Sequence, residues 1–181
     1  MKRKSKTPTK PASTKADPAP AKFVPPPAVP VGAIPDGKVV DFLTGQFVND
    51  TPEEYVRQNI EKALVRQYKY VAGDCQPEFR VKMGSAKPRV DIIVFPASEK
   101  HEQANAYILV ETKKPKTSPQ DKKDGIGQLQ SYMAACPNAL YGLWTNGDDR
   151  FCFAKRVKAG KIVFEEIVDI GLRAIAGIDT N

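Results

Sequence analysis

The stretch YILVETKKP, residues Tyr107 to Pro115, begins as an apolar strand pattern and ends, without a turn residue, in an acid, a threonine and two lysines. Residues two apart in a β-strand project from the same face, so Glu111 and Lys113 are predicted to lie side by side. Thr112 is predicted to point to the other face and to offer at most its carbonyl oxygen. The end of this strand therefore joins a carboxylate to an ammonium group.

An earlier strand pattern, PRVDIIVF (residues 88–95), carries Asp91 within an otherwise apolar run. If the two strands are neighbours, an ordinary register sets Asp91 beside Glu111. Two partly buried carboxylates repel unless a cation lies between them. Magnesium takes oxygen ligands and is commonly held by one or two carboxylates plus a substrate phosphate. Together with Lys113, which could orient water or stabilise developing charge, these acids suggest a phosphodiesterase centre.

The spacing of these residues leaves a second interpretation open. E-x-K is a common pattern, and ion pairs at strand ends are ordinary solvated features. On the spacing between Asp91 and Glu111 alone, a solvated strand end is the favoured interpretation.

The net charge of +7 is concentrated in one segment of the chain. Residues 1–35 contain seven basic residues, one acidic residue and nine of the sixteen prolines. This composition predicts a disordered or polyproline-like tail followed by one domain over residues 36–181. The tail could add salt-sensitive affinity for phosphates, or it could be a solvated linker.

Helix and strand patterns fill the predicted domain. Thr51 as N-cap, Pro52 at the first helical position and Glu54 at the third predict a helix that runs to about Tyr68. VVDFLTGQFV (residues 39–48) before it predicts a short hairpin or an extended arm. A second helix is predicted from about residue 126 to before Pro137. Strands are predicted at 77–84, 88–95, 107–113, 141–145, 151–157 and 161–168. The order predicts an α/β fold, a mixed sheet flanked by helices with a C-terminal β-hairpin.

Several classes of site are excluded by residue counts. His101 is the only histidine, which argues against a histidine-dependent nuclease or a Ser-His-Asp hydrolase. The chain has no P-loop motif, and its three cysteines form no C-x-x-C pair. The three widely separated cysteines argue against a disulfide framework and predict a reducing, cytoplasmic location, and no apolar run approaches membrane-spanning length.

Four segments carry a family resemblance. They are TPEEYVRQNIEKALV (51–65), PEFRVKMGSAKPRVDIIVF (77–95), NAYILVETKKPKTSPQDKKDGIGQLQSYMA (105–134) and YGLWTNGDDRF (141–151). In this order they resemble the N-terminal nuclease domain of type I restriction enzyme R subunits, in the PD-(D/E)XK superfamily. The resemblance covers about residues 39–168 and implies the restriction-endonuclease-like fold.

The resemblance also implies roles for individual residues. Asp91, Glu111 and Lys113 become the metal-binding and catalytic triad, with the Thr112 carbonyl as a further ligand. Asp91 follows Val90, so the Pro-Asp dipeptide of the superfamily's name is absent.

Two residues of the second helix match the Q-x-x-x-Y motif that accompanies this triad. Gln128 and Tyr132, four residues apart on a helix, share one face and are expected to orient the site and the DNA. A helix that simply packs Tyr132 and leaves Gln128 solvated is the alternative.

Glu54 has two open interpretations. The resemblance makes it a first-helix acid that assists the metal site, whereas local physical chemistry explains it as the third residue of a capping box.

The resemblance implies a Mg²⁺-dependent DNA endonuclease, the nuclease module of a type I restriction-modification system, with Mg²⁺ or Mn²⁺ as cofactor. The expected partners are double-stranded DNA and methyltransferase, specificity or motor subunits, with no membrane and no small-molecule substrate. The rival hypothesis is a non-catalytic DNA-binding or assembly module that keeps the nuclease fold.

Overall fold

The computed structural model describes residues 33–171, which form two helices and eight strands. The helices are α1 (Pro52–Arg66) and α2 (Ile126–Ala135). The strands are β1 (Lys38–Val40), β2 (Phe47–Asn49), β3 (Cys75–Arg80), β4 (Arg89–Val94), β5 (Ile108–Thr112), β6 (Tyr141–Thr145), β7 (Arg150–Lys158) and β8 (Lys161–Ile167).

Strands β3 to β8 form one sheet in the order β3-β4-β5-β6-β7-β8. Only β5 and β6 run parallel, and α2 is the crossover between them. All other neighbours are antiparallel. The predicted α/β class, with a mixed sheet and a C-terminal hairpin of β7 and β8, is confirmed.

The sheet separates two apolar cores. Because side chains alternate along β5, Val110 packs with Leu64 of α1 on one face, while Leu109 packs with Leu129 of α2 on the other. All four side chains are fully buried. The helices therefore lie on opposite faces of the sheet, and β5 runs between them at the centre.

The predicted hairpin before α1 is confirmed as the antiparallel pair β1 and β2. Asp41 fixes its turn by accepting hydrogen bonds from the Leu43 and Thr44 backbone N–H groups and the Thr44 hydroxyl. Lys38 N donates to Pro35 O, so the ordered contacts begin just before β1. Residues 1–32, most of the predicted tail, lie outside the described residues.

Helix α1 begins as predicted, with Thr51 Oγ1 accepting from Glu54 N at 3.1 Å. It ends at Arg66, two residues before the predicted end, since Tyr68 N donates to Ala63 O and Tyr70 N to Leu64 O, which departs from the α-helical hydrogen-bond pattern.

Strand β3 ends at Arg80, four residues before its predicted end, and within it Glu78 has a left-handed backbone (φ 53°). Within residues 33–171, neither helix has the length and apolarity that crossing a membrane requires.

Candidate active site

Strands β4 and β5 bring the predicted acids together. Ile92 pairs with Val110 at the end of the register between β4 and β5, and the next residues of the two strands are Asp91 and Glu111, close enough for the charge of Asp91 to raise the pKa of Glu111. Asp91 Oδ2 accepts hydrogen bonds from Thr112 N at 2.6 Å and from Thr112 Oγ1 at 2.9 Å. Thr112 therefore contributes more than the carbonyl predicted for it, because its N–H and hydroxyl hold the Asp91 carboxylate.

Glu111 and Lys113 form a buried ion pair at the end of β5. Lys113 Nζ lies 2.8 Å from Glu111 Oε1, and the two residues are only 8% and 1% exposed. The other carboxylate oxygen, Glu111 Oε2, is buried and has no hydrogen-bond partner. The solvated strand end that the spacing alone favoured is thus wrong for these two residues, since neither reaches bulk water freely.

Burial and repulsion from nearby acids shift the pKa values of Asp91 and Glu111 upward. Burial and the nearby Asp91 raise the pKa of Glu111 to about 8, against the opposing attraction of Lys113. Burial raises the pKa of Asp91 as well, although the Thr112 hydrogen bonds and Lys113 oppose this rise. Burial lowers the pKa of Lys113, but attraction to the surrounding acids exceeds this effect and the net shift is upward. The group therefore attracts positive charge.

A third acid near this group comes from the first turn of α1. Glu53 Oε1 lies 3.9 Å from Lys113 Nζ, and its charge also raises the pKa of both Asp91 and Glu111. Its side chain is 47% exposed, so it reaches the group from the solvent side.

Glu54, the predicted first-helix acid, points elsewhere. Its carboxylate accepts from Arg57 Nε and Nη2 at 2.9 and 2.6 Å and from Gln58 Nε2 at 3.0 Å. The cap interpretation holds for the Glu54 backbone N–H, which bonds Thr51, while the side chain binds Arg57. The acid that approaches the Asp91 group is its neighbour, Glu53.

Arg57 is the centre of a second, buried charge cluster. Its guanidinium pairs with Glu54, with Glu61 at 3.1 Å and with Asp41 of the β1–β2 hairpin at 2.9 Å. The spacing of Glu54, Arg57 and Glu61 along one helix face was visible in the sequence. The long-range partner Asp41 was not. This cluster fixes the hairpin against α1.

On the opposite face of the sheet, α2 presents the predicted motif pair. Gln128 Nε2 donates to Tyr132 Oη at 2.8 Å, so the two share a helix face as expected. Burial raises the pKa of Tyr132, and the charges of Glu111, Lys113 and Asp91 also act on its phenol. Gln128 Oε1 is buried and has no hydrogen-bond partner. The motif pair thus lies within electrostatic range of the triad.

An open cleft of about 480 Å³ lies between the β1–β2 hairpin, the first turn of α1 and the sheet. The acids Asp91, Glu53 and Glu54 line it, together with Thr112, Lys38, Arg57 and Arg89. Glu54 thus borders the same cleft as Asp91, but its carboxylate there is bound to Arg57.

A family model described as "Type I restriction enzyme R protein N terminus" matches residues 52–170. The chain belongs to this family. No curated protein matches the chain.

The matched region of this type I restriction R-protein N terminus contains the acids, the lysine and the motif pair of the site. It begins at Pro52, the first residue of α1, and so includes both Glu53 and Glu54. It also spans the strands β4 and β5 and the helix α2, whose side chains meet at the site. The β1–β2 hairpin and its Asp41 lie before the matched region.

The predicted magnesium ligands Asp91, Glu111 and Thr112 fit a magnesium ion in two respects. Glu111 keeps a buried oxygen without a partner, and the charges of Glu111, Asp91 and Glu53 all act on the single ammonium of Lys113. Within residues 33–171, no group of three or more His, Cys, Asp or Glu side chains forms a complete set of metal ligands. An ion here would depend on water or substrate oxygens for the rest of its shell, as magnesium commonly does.

Proposed function

We propose that this chain is the nuclease module of a type I restriction system and a Mg²⁺-dependent DNA endonuclease of the PD-(D/E)XK kind. The observation that carries the proposal is the Glu111 carboxylate, buried with one oxygen on Lys113 and the other without a partner, next to Asp91. Family membership supports a restriction nuclease in general. The mixed sheet, with the acids on two adjacent central strands, supports the PD-(D/E)XK fold.

Asp91 and Glu111 would hold the magnesium ion, with Thr112 beside them. When bound, the ion lowers the pKa of a water molecule and neutralises charge on phosphate oxygens. Thr112 holds Asp91 through its N–H and hydroxyl, both of which donate to the same carboxylate oxygen, Oδ2. Asp91 thereby has a fixed orientation before any ligand arrives.

Lys113 stabilises negative charge that develops on the phosphate, because its ammonium is positioned by Glu111 and Glu53. Tyr132 and Gln128, on the other side of Glu111, donate hydrogen bonds toward the DNA backbone or hold the site acids in place. The hydrogen bond between Gln128 Nε2 and Tyr132 Oη already orients this pair, so these roles need little rearrangement.

Incubation of the purified chain with supercoiled and linear DNA, in magnesium or in EDTA, tests the reaction. Wild type should nick DNA only with magnesium, and Asp91→Ala and Lys113→Ala should each reduce the rate about 100-fold or more. Glu166→Gln, at an exposed acid on β8, is the matched control and should cut like wild type. Equal nicking by all four proteins contradicts the catalytic assignment.

Metal binding has its own measurement, which does not depend on cleavage. Magnesium should raise the unfolding temperature of wild type, because the ion relieves repulsion between Asp91 and Glu111 and binds the native state alone. The rise should vanish in Asp91→Asn and persist in Glu166→Gln. If magnesium stabilises none of these proteins and DNA is bound but never cut, the non-catalytic binding module is the better account.

A further inference from the structure

The segment between β5 and α2 begins at Lys113 and ends on the helix that carries Gln128 and Tyr132. We call residues 114–123 the lysine loop, because four exposed lysines lie in it: Lys114, Lys116, Lys122 and Lys123. Asn146 Nδ2 donates to Thr117 O at 2.9 Å, and Trp144 Nε1 donates to Asp124 O at 3.0 Å, just after the loop. Both bonds tie the loop to the end of β6, next to the candidate active site.

The lysine loop has a fixed internal shape. Asp121 Oδ1 accepts from the backbone N–H groups of Lys123 and Asp124, both at 2.8 Å. A Cβ at Gly125 would lie 2.4 Å from Pro119 O and from Asp121 O, so only glycine fits where the loop meets α2. Charged side chains on such a loop are presented from a rigid base, which lowers the ordering cost of binding.

The turn at residues 114–117 contains an unfavourable residue choice. Thr117 N donates to Lys114 O at 3.2 Å, Pro115 is the second residue and Lys116 has φ 68°. This is the arrangement of a type II turn, whose third position favours glycine or asparagine because φ is positive. A lysine there is strained, and strained residues that the surrounding structure maintains cluster at functional sites.

A second lysine with a left-handed backbone conformation, Lys69, has a local contact that accounts for that conformation. Lys69, after α1, has φ 64°, and its ammonium donates to Arg66 O at 2.7 Å, so it satisfies a carbonyl of the helix end. No partner of the Lys116 ammonium occurs within residues 33–171, and the side chain is exposed. Lys116 thus has the strain of a left-handed residue without a structural contact that accounts for it.

We infer that Lys116, with the other lysines of the loop, contacts backbone phosphates of duplex DNA beside the scissile bond. The inference rests on the proposed function, since DNA held at Asp91 and Glu111 must continue past the loop that starts at Lys113. The ligand chemistry is a row of phosphates: the loop offers point charges, which bind phosphates without reading sequence. Asp121 keeps its negative charge while it accepts from the loop's own N–H groups, but the four lysines outnumber it and residues 114–123 have a net charge of +3.

The test measures binding of a short labelled duplex to the full chain by fluorescence anisotropy, in magnesium-free buffer at several salt concentrations. Lys116→Asn keeps a residue suited to positive φ, so its unfolding temperature should equal or exceed that of wild type. Its affinity should fall about three- to tenfold, and the slope of log affinity against log salt should flatten by about 0.9, because one lysine no longer neutralises a phosphate. Adding Lys114→Gln, Lys122→Gln and Lys123→Gln should flatten the slope further.

Lys69→Asn is the matched control, with the same residue type, backbone region and charge change. It lies at the far end of α1, roughly 20 Å along the helix from Glu53, and should bind DNA like wild type. If Lys116→Asn binds like wild type, or if the two variants weaken binding equally, the inference is wrong. If wild type cuts DNA and Lys116→Asn binds DNA as wild type does, the proposed nuclease function stands and the role of the lysine loop is wrong. If wild type never cuts DNA but Lys116→Asn alone binds it more weakly, the role of the loop stands and the proposed nuclease function is wrong.

Discussion

At the scale of single residues, the two adjacent acids at the start of α1 have separate tasks. Glu53 is half exposed and approaches Lys113, whereas Glu54 is buried against Arg57. Glu53→Gln should therefore lower the nicking rate with little change in stability, within about 0.5 kcal/mol. Glu54→Gln should cost about 1–3 kcal/mol of unfolding free energy, because the buried Arg57 is deprived of a charged partner.

Rates on supercoiled DNA and urea unfolding of both variants provide the comparison. Both substitutions remove one negative charge at neighbouring positions, so each is the control for the other. If Glu54→Gln lowers the nicking rate more than Glu53→Gln does, at a temperature where both variants are folded, then Glu54 is the acid of α1 that assists the site.

Glu61 gives the native state a pH dependence of its own. Burial and the neighbouring Asp41 raise the pKa of Glu61 to about 8 from 4.5, although Arg57 opposes the shift. The folded protein therefore binds a proton there more tightly than the unfolded chain, and stability from this group falls as pH rises from about 4.5 to 8. Glu61→Gln cannot ionise, so the variant should lack this decline.

Urea unfolding between about pH 5 and pH 8 measures the difference. The unfolding free energy of Glu61→Gln minus that of wild type should increase steadily with pH, by roughly 2–4 kcal/mol over the range. Replacing the carboxyl by an amide also changes the unfolding free energy by an amount that does not depend on pH. The quantity to compare is therefore the change of the free-energy difference with pH. A difference that does not change with pH would show that Glu61 stays ionised throughout.

The sequence indicated which residues form the candidate site but not the direction of every side chain. The spacing allowed Asp91 to lie near Glu111 if their strands were neighbours, and the family resemblance, rather than the spacing alone, made these two acids the candidate site. On a helix, the side chains of consecutive residues point in directions about 100° apart. Arg57, which binds Glu54, also binds Asp41, a residue outside the helix. No local rule links Asp41 to Arg57, so the sequence alone could not show that Glu53 approaches Lys113 while Glu54 binds Arg57.

At the scale of elements, α2 is held at its C-terminal end by a lysine from another strand. Lys155 of β7 is 8% exposed, and its ammonium donates to the backbone oxygens of Met133, Cys136 and Pro137. A cation at a helix C-terminus satisfies carbonyls that lack helical partners and complements the helix dipole. Lys155→Met should therefore cost about 1–3 kcal/mol of unfolding free energy.

Thermal unfolding of Lys155→Met beside Lys161→Met checks this prediction. Lys161 begins the partner strand of the same hairpin and is exposed, so its replacement should change stability by less than about 0.5 kcal/mol. Hydrogen exchange should also speed up in the last turn of α2 in Lys155→Met. Equal unfolding temperatures for the two variants would show that the carbonyls find other donors.

Most elements were predictable because their signals are local, and the departures have long-range causes. The start of α1 follows from Thr51 and Pro52, and the last turn of the sheet contains Ala159 and Gly160 at positive φ, as a tight hairpin requires. The left-handed Glu78 interrupts the pairing of β3 with β4 at Asp91, which no residue pattern in the strand predicts.

At the scale of the whole molecule, most of the net positive charge lies in a different segment of the chain from the folded domain. Residues 1–35 have a net charge of +6, and the rest of the chain only +1. Lys38 N bonds Pro35 O at the start of the ordered arm, and the arm is fixed to α1 by Asp41 and Arg57. Deletion of residues 1–32 should therefore leave the unfolding temperature unchanged within a few degrees.

The same deletion should weaken DNA binding mainly at low salt, since it removes seven basic residues and so flattens the dependence of affinity on salt. Anisotropy titrations of both chain lengths, each also with Lys116→Asn, separate the tail from the lysine loop. Because the tail and the lysine loop are separate segments of the chain, their changes in slope should add. If the shortened chain unfolds at a much lower temperature, residues 1–32 belong to the folded domain. The net positive charge then does not lie in a segment separate from that domain.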